Sequence, residues 1–359
     1  MHALIPDHLE RPYRERIQGA SPSTEVSLLH IERHRPLHLR LASAAARRWA
    51  PYHLYQRIAS AAESAGSLTL RMDGAVLVRP RPGIEVFLAT AAVDRRIVAT
   101  VVALLPDLRW VHSTPTGVDR FDLRLLKDRN ITLTASRGVH ARRIAEFVMG
   151  LIYADAKRLC AHLEQTRRRR PARLHSAELS GLCVGIVGFG SIGREVASLA
   201  RANGLSVVAF ARNEGGQHTG DGIRATPRLE DVLTASDIVV VALPLTPETR
   251  GLLGWGELKL MRSHAMLINV GRAQTIVLDD LLLALRQRVI RRACLDLVEG
   301  DGRSRHHPVY ECEGVVYTSH SASASQTADE AVVEYFAENI RRYQQGQPLE
   351  GLIDLSRGY

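Results

Sequence analysis

Apolar residues in the second half of the chain fall in short continuous runs separated by polar, glycine-containing stretches. Residues 184–187, 206–210, 238–243, 265–269, 293–296 and 315–318 are such runs. Unbroken rather than alternating apolar character is what strands buried on both faces require, as in a parallel sheet. Helical spacers lie between them. Residues 194–202 are amphipathic and stop at Asn203-Gly204, and residues 327–345 carry Val332, Phe336, Ile340 and Tyr343 on one stripe. Strand and helix in alternation predict an α/β fold with a doubly wound, Rossmann-type parallel sheet.

The first half has the same punctuation on a smaller scale. Residues 25–31 read as a first strand. The apolar runs 75–78, 97–105 and 109–112 are separated by turn signals, and residues 41–64 look helical with a break at Pro51. A helix over 142–159, with Ile144, Val148, Leu151 and Ile152 on one face, is placed to bridge two domains. The first twenty residues are polar and irregular, which predicts a tail or an arm over a neighbour.

One of the buried runs leads into chemistry. Val184-Gly185-Ile186-Val187 is followed by Gly188-Phe189-Gly190-Ser191-Ile192-Gly193, the G-x-G-x-x-G fingerprint of a dinucleotide site. The first glycine permits a tight turn, the second lets backbone approach a pyrophosphate, and the third lets the helix pack on the strand.

Composition narrows the class. At 359 residues, 45% hydrophobic and 24% charged, the chain is long enough for two globular domains. No apolar run is long enough to span a bilayer. The N-terminal residues His2, Asp7, Glu10 and Arg11 leave no apolar segment of the secretory kind, so a cytoplasmic protein is expected. Cys160, Cys183, Cys294 and Cys312 form no C-x-x-C pair, so neither a metal site nor a redox motif is suggested. The net charge is +9, with Lys127, Lys157 and Lys259 the only lysines among 47 basic residues. The run Arg167-Arg168-Arg169-Arg170 lacks interleaved aromatics and reads as a solvated helix end rather than a nucleic-acid surface.

Polar residues end several of the apolar runs: Asn269-Val270-Gly271-Arg272, Leu295-Asp296 and Thr318-Ser319-His320. In order, the stretches WVHSTPTGVD (110–119), GVHARRIAEFVMGLI (138–152), VGIVGFGSIGREVA (184–197), SDIVVVALPLTPETRGLLG (236–254), LINVGRA (267–273), CLDL (294–297) and YTSHSA (317–322) resemble the D-isomer-specific 2-hydroxyacid dehydrogenase family. The resemblance implies a coenzyme domain over 142–321, inserted into a smaller flavodoxin-like substrate domain made of 1–141 and 322–359. It places the active site in the cleft between them and leads us to expect a homodimer.

The resemblance also assigns roles. Arg272 would bind the substrate carboxylate and carbonyl oxygen, a task suited to a planar fork that stays charged. His320 would be the general acid/base, since an imidazole can give and take a proton near neutrality. The family's glutamate partner of that histidine falls at Asp301, shorter by one methylene, roughly 1.5 Å, with Glu299 as a fallback. Thr116 and Gly117 match the loop whose amides hold the substrate carboxylate, and Arg79 and Arg81 lie near a second substrate loop. Cofactor contacts fall at Gly188, Gly190, Ser191, Ile192, Gly193, Leu243, Pro244, Thr249, Val270, Gly271 and Asp296, the last with a competing role in holding its strand end. Ala273 and Val277 depart from the family's usual glycine and aspartate.

The ribose position decides between the two nicotinamide cofactors. NAD enzymes place a carboxylate at the end of the second strand; here that position is Ala211, followed by Arg212 and Asn213. Without a carboxylate to repel a 2′-phosphate, and with a guanidinium to pair with it, NADP(H) is expected, with NAD still possible. The expected activity is hydride transfer between NADP(H) and a small 2-oxo or D-2-hydroxy acid. The alternative is a cofactor-sensing, corepressor-like protein on the same scaffold, and retention of Arg272 and His320 argues against it.

Overall fold

The computed structural model describes residues 1–6, 10–21, 23–34, 67–73, 75–77, 79–91, 93–211, 218–219, 223–300, 302, 304–325 and 328–359. The helix expected over 41–64 lies outside them, as do Arg212, Asn213 and Asp301. The chain forms two compact units, Met1–Val139 with Gln326–Tyr359, and His140–Ser325. Among the described residues no helix is long and apolar enough to cross a membrane.

The first unit is built on a seven-stranded sheet in the order β4-β3-β2-β1-β5-β6-β7. These strands are His2–Pro6 (β1), Glu25–His34 (β2), Ser67–Met72 (β3), Ala75–Val76 (β4), Val86–Ala89 (β5), Trp110–Ser113 (β6) and Thr132–Ala135 (β7). The five parallel members run β2-β1-β5-β6-β7, the 2-1-3-4-5 order of flavodoxin-like sheets. β3 and β4 extend one edge antiparallel. The run 97–105 is chiefly helix, Arg95–Leu104, capped by Asp94, whose carboxylate accepts from the backbone amides of Arg96 and Ile97. Its Ile97, Val98, Val101 and Val102 are buried; a short apolar run does not by itself distinguish a buried strand from a buried helix.

The N-terminus is not a tail. β1 lies between β2 and β5, parallel to both, and Ala3, Leu4 and Ile5 are fully buried. The helix Glu10–Ala20 follows it. Three apolar residues between His2 and Pro6 carry no periodic signal, and only the two neighbouring strands make this segment central.

Inside this unit sits an imidazole. His112, in β6, is fully buried, with Nδ1 2.7 Å from Thr134 Oγ1 and Nε2 3.0 Å from Ser136 Oγ. Burial pushes its pKa down to about 3. In the unfolded chain it titrates near 6.5, so between these values the unfolded state binds the extra proton. Stability fully present above pH 6.5 is therefore lost as pH falls toward 3, by roughly 4–5 kcal/mol at about 1.4 kcal/mol per unit. Urea unfolding at pH 7 and pH 4 checks this. A His112→Gln variant, which cannot titrate, is expected to lose markedly less stability over the interval; an equal loss in both proteins refutes it.

The second unit holds an eight-stranded sheet in the order β10-β11-β9-β8-β12-β13-β14-β15. Its strands are Cys183–Val187 (β8), Ser206–Phe210 (β9), His218–Thr219 (β10), Ile223–Thr226 (β11), Ile238–Val241 (β12), Met266–Asn269 (β13), Arg292–Leu295 (β14) and Val315–Tyr317 (β15). All but the edge strand β10 are parallel. The order is the 3-2-1-4-5-6 of a dinucleotide-binding sheet with two further strands, β10 at one edge and β15 at the other, and it reverses between β8 and β12. Apolar layers cover both faces, Val184, Ile186, Val240 and Ile268 packing on one side and Val187, Val239, Val241 and Leu267 on the other. The helix expected over 142–159 is Ala141–Ala156. A second helix, Leu159–Arg167, follows after Arg158 turns left-handed, and the arginine run is exposed at its end.

Candidate active site

Register assembles the site. Phe210, Val187, Val241, Asn269, Leu295 and Tyr317 pair in one line across six parallel strands. The residues that follow, Ala211, Gly188, Ala242, Val270, Asp296 and Thr318, therefore share one sheet edge. Neighbouring strands are spaced by about 4.8 Å. The glycine turn, the Arg272 loop and the His320 loop thus come from β8, β13 and β15 on the same carboxyl-terminal edge, where open α/β sheets bind ligands.

The glycine turn has the shape a pyrophosphate needs. Gly188 has φ +109°, and a Cβ there would lie 2.9 Å from the Ala242 backbone. A Cβ on Gly193 would lie 2.3 Å from the Gly188 carbonyl oxygen, so the helix Ser191–Ala202 packs directly on the turn. Gly190 differs: no protein atom lies within 4 Å of its Cβ position. Its lack of a side chain answers to no packing within the protein and leaves the approach to the helix N-terminus open. Gly190 is also the N-cap and offers no side-chain acceptor, so the amides of Ser191, Ile192 and Gly193 have no capping partner from it. The residues present fit a dinucleotide phosphate.

The loops beyond β12 and β13 interlock. Gly271 lies against the Leu243 backbone, where a Cβ would be 2.8 Å from the Leu243 carbonyl oxygen. Thr249 is buried; its hydroxyl donates to the Pro244 carbonyl at 2.7 Å and accepts from the Thr246 amide at 2.8 Å, so it shapes this loop.

Arg272 is half-buried and its backbone is pinned. Its carbonyl accepts from Asn269 Nδ2 at 3.0 Å and Thr275 Oγ1 at 2.6 Å, while Asn269 Oδ1 accepts from the Gly271 amide at 3.0 Å. Asn269 and Thr275 are buried. Both fix the backbone from which the Arg272 side chain projects, which the residue types alone do not reveal.

His320 is held more tightly still. Ser319 and His320 both have positive φ, 52° and 60°, and two successive left-handed residues cost on the order of 1–2 kcal/mol each. Asp296 holds them there. Its carbonyl accepts from the His320 amide at 2.6 Å; its Oδ1 accepts from Thr318 Oγ1 at 2.7 Å, the Ser321 amide at 2.8 Å and the Ala322 amide at 3.1 Å. The strand-end role of Asp296 is thus realised. It is buried with one carboxylate oxygen committed to the loop that presents His320.

The backbone carbonyls of Glu299 and Gly302 are each held by a hydrogen bond. The buried His307 has Nε2 2.9 Å from the Glu299 carbonyl and accepts from the Val309 amide through Nδ1, so Nε2 carries the proton. The Tyr310 hydroxyl donates to the Gly302 carbonyl at 2.5 Å. In the first unit, Thr116 follows β6 and its hydroxyl donates to the Ser136 carbonyl at 3.3 Å; Arg79 and Arg81 are exposed.

A sheet with this strand order, this glycine turn and a guanidinium and an imidazole on its carboxyl edge defines a dinucleotide-dependent oxidoreductase. Residues 149–322 match the model of the D-isomer-specific 2-hydroxyacid dehydrogenase NAD-binding domain. The chain is 33% identical over 268 residues to a glyoxylate reductase of Aeropyrum pernix, covering 72% of this chain and 80% of that one. It is 32% identical over 273 residues to one of Thermococcus kodakarensis, covering 73% and 81%. Among solved structures it is similar to a D-isomer-specific 2-hydroxyacid dehydrogenase of Xanthobacter autotrophicus in complex with NADPH and MES, with a TM-score of 0.74, 24% identity and coverage of 100% and 99%. It is also similar to an NADPH-dependent glyoxylate/hydroxypyruvate reductase of Sinorhizobium meliloti in complex with NADP and sulfate, with a TM-score of 0.75, 22% identity and the same coverage. The chain belongs to the D-isomer-specific 2-hydroxyacid dehydrogenase family, and it is an enzyme, an oxidoreductase acting between 2-oxo and 2-hydroxy acids.

Proposed function

We propose that this enzyme is an NADP(H)-linked reductase of small 2-oxo acids of the glyoxylate or hydroxypyruvate kind. The observation that carries the reading is the single sheet edge that takes the glycine turn from β8, Arg272 from β13 and His320 from β15. When bound, the nicotinamide supplies the hydride. Arg272 holds the carboxylate and carbonyl oxygen of the substrate and stabilises the negative charge that builds on that oxygen. His320 donates a proton to the same oxygen, and Asp301 orients the imidazole. The amides of Thr116 and Gly117 bind the carboxylate.

Ala211 supports NADP(H). It closes β9 with its amide donating to the Thr226 carbonyl at 3.0 Å and brings no carboxylate to the ribose position. The names of the relatives support small 2-oxo acids. Leu159 and Leu163, 48% and 60% exposed on one helix, support a homodimer formed through the second unit.

A panel of 2-oxo acids assayed by NADPH oxidation, repeated with NADH, tests the reading. At least about tenfold higher kcat/KM with NADPH is expected, equivalent to 1.4 kcal/mol, and Ala211→Asp should erase most of it. A preference for NADH overturns the cofactor assignment; no turnover of any 2-oxo acid by protein that binds NADPH overturns the reaction.

A further inference from the structure

We propose that the buried His112 is a positioning residue that sets the substrate affinity of the loop at 113–117. The proposal rests on reading Thr116 and Gly117 as the carboxylate-binding loop, and it names what holds that loop in shape.

The chain of contacts lies within the first unit. Trp110 Nε1 can only donate, so Thr134 Oγ1 accepts it at 2.8 Å. The proton of Thr134 is then available to His112 Nδ1 at 2.7 Å, and Nε2–H to Ser136 Oγ at 3.0 Å. Ser136 ties both ends of the loop. Its amide donates to the Ser113 carbonyl at 3.0 Å, and its carbonyl accepts from the Thr116 hydroxyl at 3.3 Å. Ser113 Oγ closes the turn on the Pro115 carbonyl at 2.7 Å.

His112, Thr134 and Ser136 are all fully buried, so water cannot substitute for a missing partner. The ring is fixed as well as bonded, with Phe336 and Tyr335 rings 5.2 and 5.8 Å away and Trp110 edge-on at 6.1 Å. An apolar side chain could fill this space without the cost of burying an imidazole. What the imidazole adds is a rigid bridge between two hydroxyls, and one of these belongs to the residue that clamps the loop. Its effect therefore falls on substrate binding and leaves cofactor binding and proton transfer alone.

The test uses the full-length enzyme with glyoxylate and hydroxypyruvate. In His112→Leu the KM for the 2-oxo acid should rise about tenfold, with kcat within threefold and the Kd for NADPH unchanged. In His112→Gln, whose amide both donates and accepts, the rise should be mostly reversed. Gly117→Pro, which deletes one loop amide, tests the underlying reading. If Gly117→Pro raises KM and a folded His112→Leu does not, the positioning role is refuted and the loop reading stands. If neither raises KM, both fail. If His112→Leu does not fold, Ser136→Ala, which deletes only the last hydroxyl, decides by the same KM criterion.

Discussion

Replacing Arg272 with lysine should lower kcat/KM for the 2-oxo acid by about a hundredfold, and replacing it with alanine by about a thousandfold. Lysine keeps the charge but loses the fork that can hold carboxylate and carbonyl oxygen together. Alanine loses both, and the oxygen that gains negative charge is left without its cation. The backbone here is held chiefly by Asn269 and Thr275, with the guanidinium adding one bond from Nη1 to the Gly271 carbonyl at 3.1 Å. The loop should therefore keep its shape, and the Kd for NADPH should stay within about twofold. Added guanidine should restore part of the activity of Arg272→Ala. Steady-state kinetics with NADPH titration read all three, and an alanine variant that keeps more than a tenth of wild-type kcat/KM defeats the assignment.

His320→Asn should lower kcat by about 10² to 10⁴, the usual worth of a positioned general acid. Reduction needs a proton delivered to the substrate oxygen, and asparagine cannot supply one. The loss should therefore fall on kcat, with the Kd for NADPH within about twofold of wild type. Asparagine tolerates the left-handed conformation that His320 occupies at φ 60°, so backbone strain does not confound the comparison. Asp301→Ala probes the same proton transfer from the proposed partner's side. Without the carboxylate to orient the imidazole, turnover should fall. Undiminished turnover in Asp301→Ala removes that residue from the pair.

Much of the second unit was legible in the chain because its signals are local. A buried parallel strand announces itself by an unbroken apolar run, and residues 206–210 were delimited to the residue as β9. A glycine turn is equally local, since Gly188 and Gly193 answer to close approaches made by neighbours in sequence or in the next strand. The residues proposed for the chemistry, Arg272 and His320, stand out by motif and by their place after a strand. Their supports do not. Asn269 gives no sign in the chain that it caps the Arg272 loop, and Asp296 gives none of its hydrogen bonds to Thr318, Ser321 and Ala322. The N-terminal strand reads in the chain as a tail or an arm, because the burial of its three apolar residues depends on partners 23 and 83 positions away.

The sequence by itself determined six of the second unit's eight strands, which turn can take a phosphate and which side chains can hold a carboxylate or move a proton. These follow from apolar runs, from glycine's missing Cβ and from side-chain chemistry, all of which act over a few residues. Only the tertiary structure decided that Gly188, Asn269, Asp296 and Thr318 stand in adjoining rows on one edge. It also decided that His112 is a buried bridge rather than one of many surface histidines. Register and burial are set by hydrogen bonding and packing between segments far apart in the chain, and no local pattern encodes them.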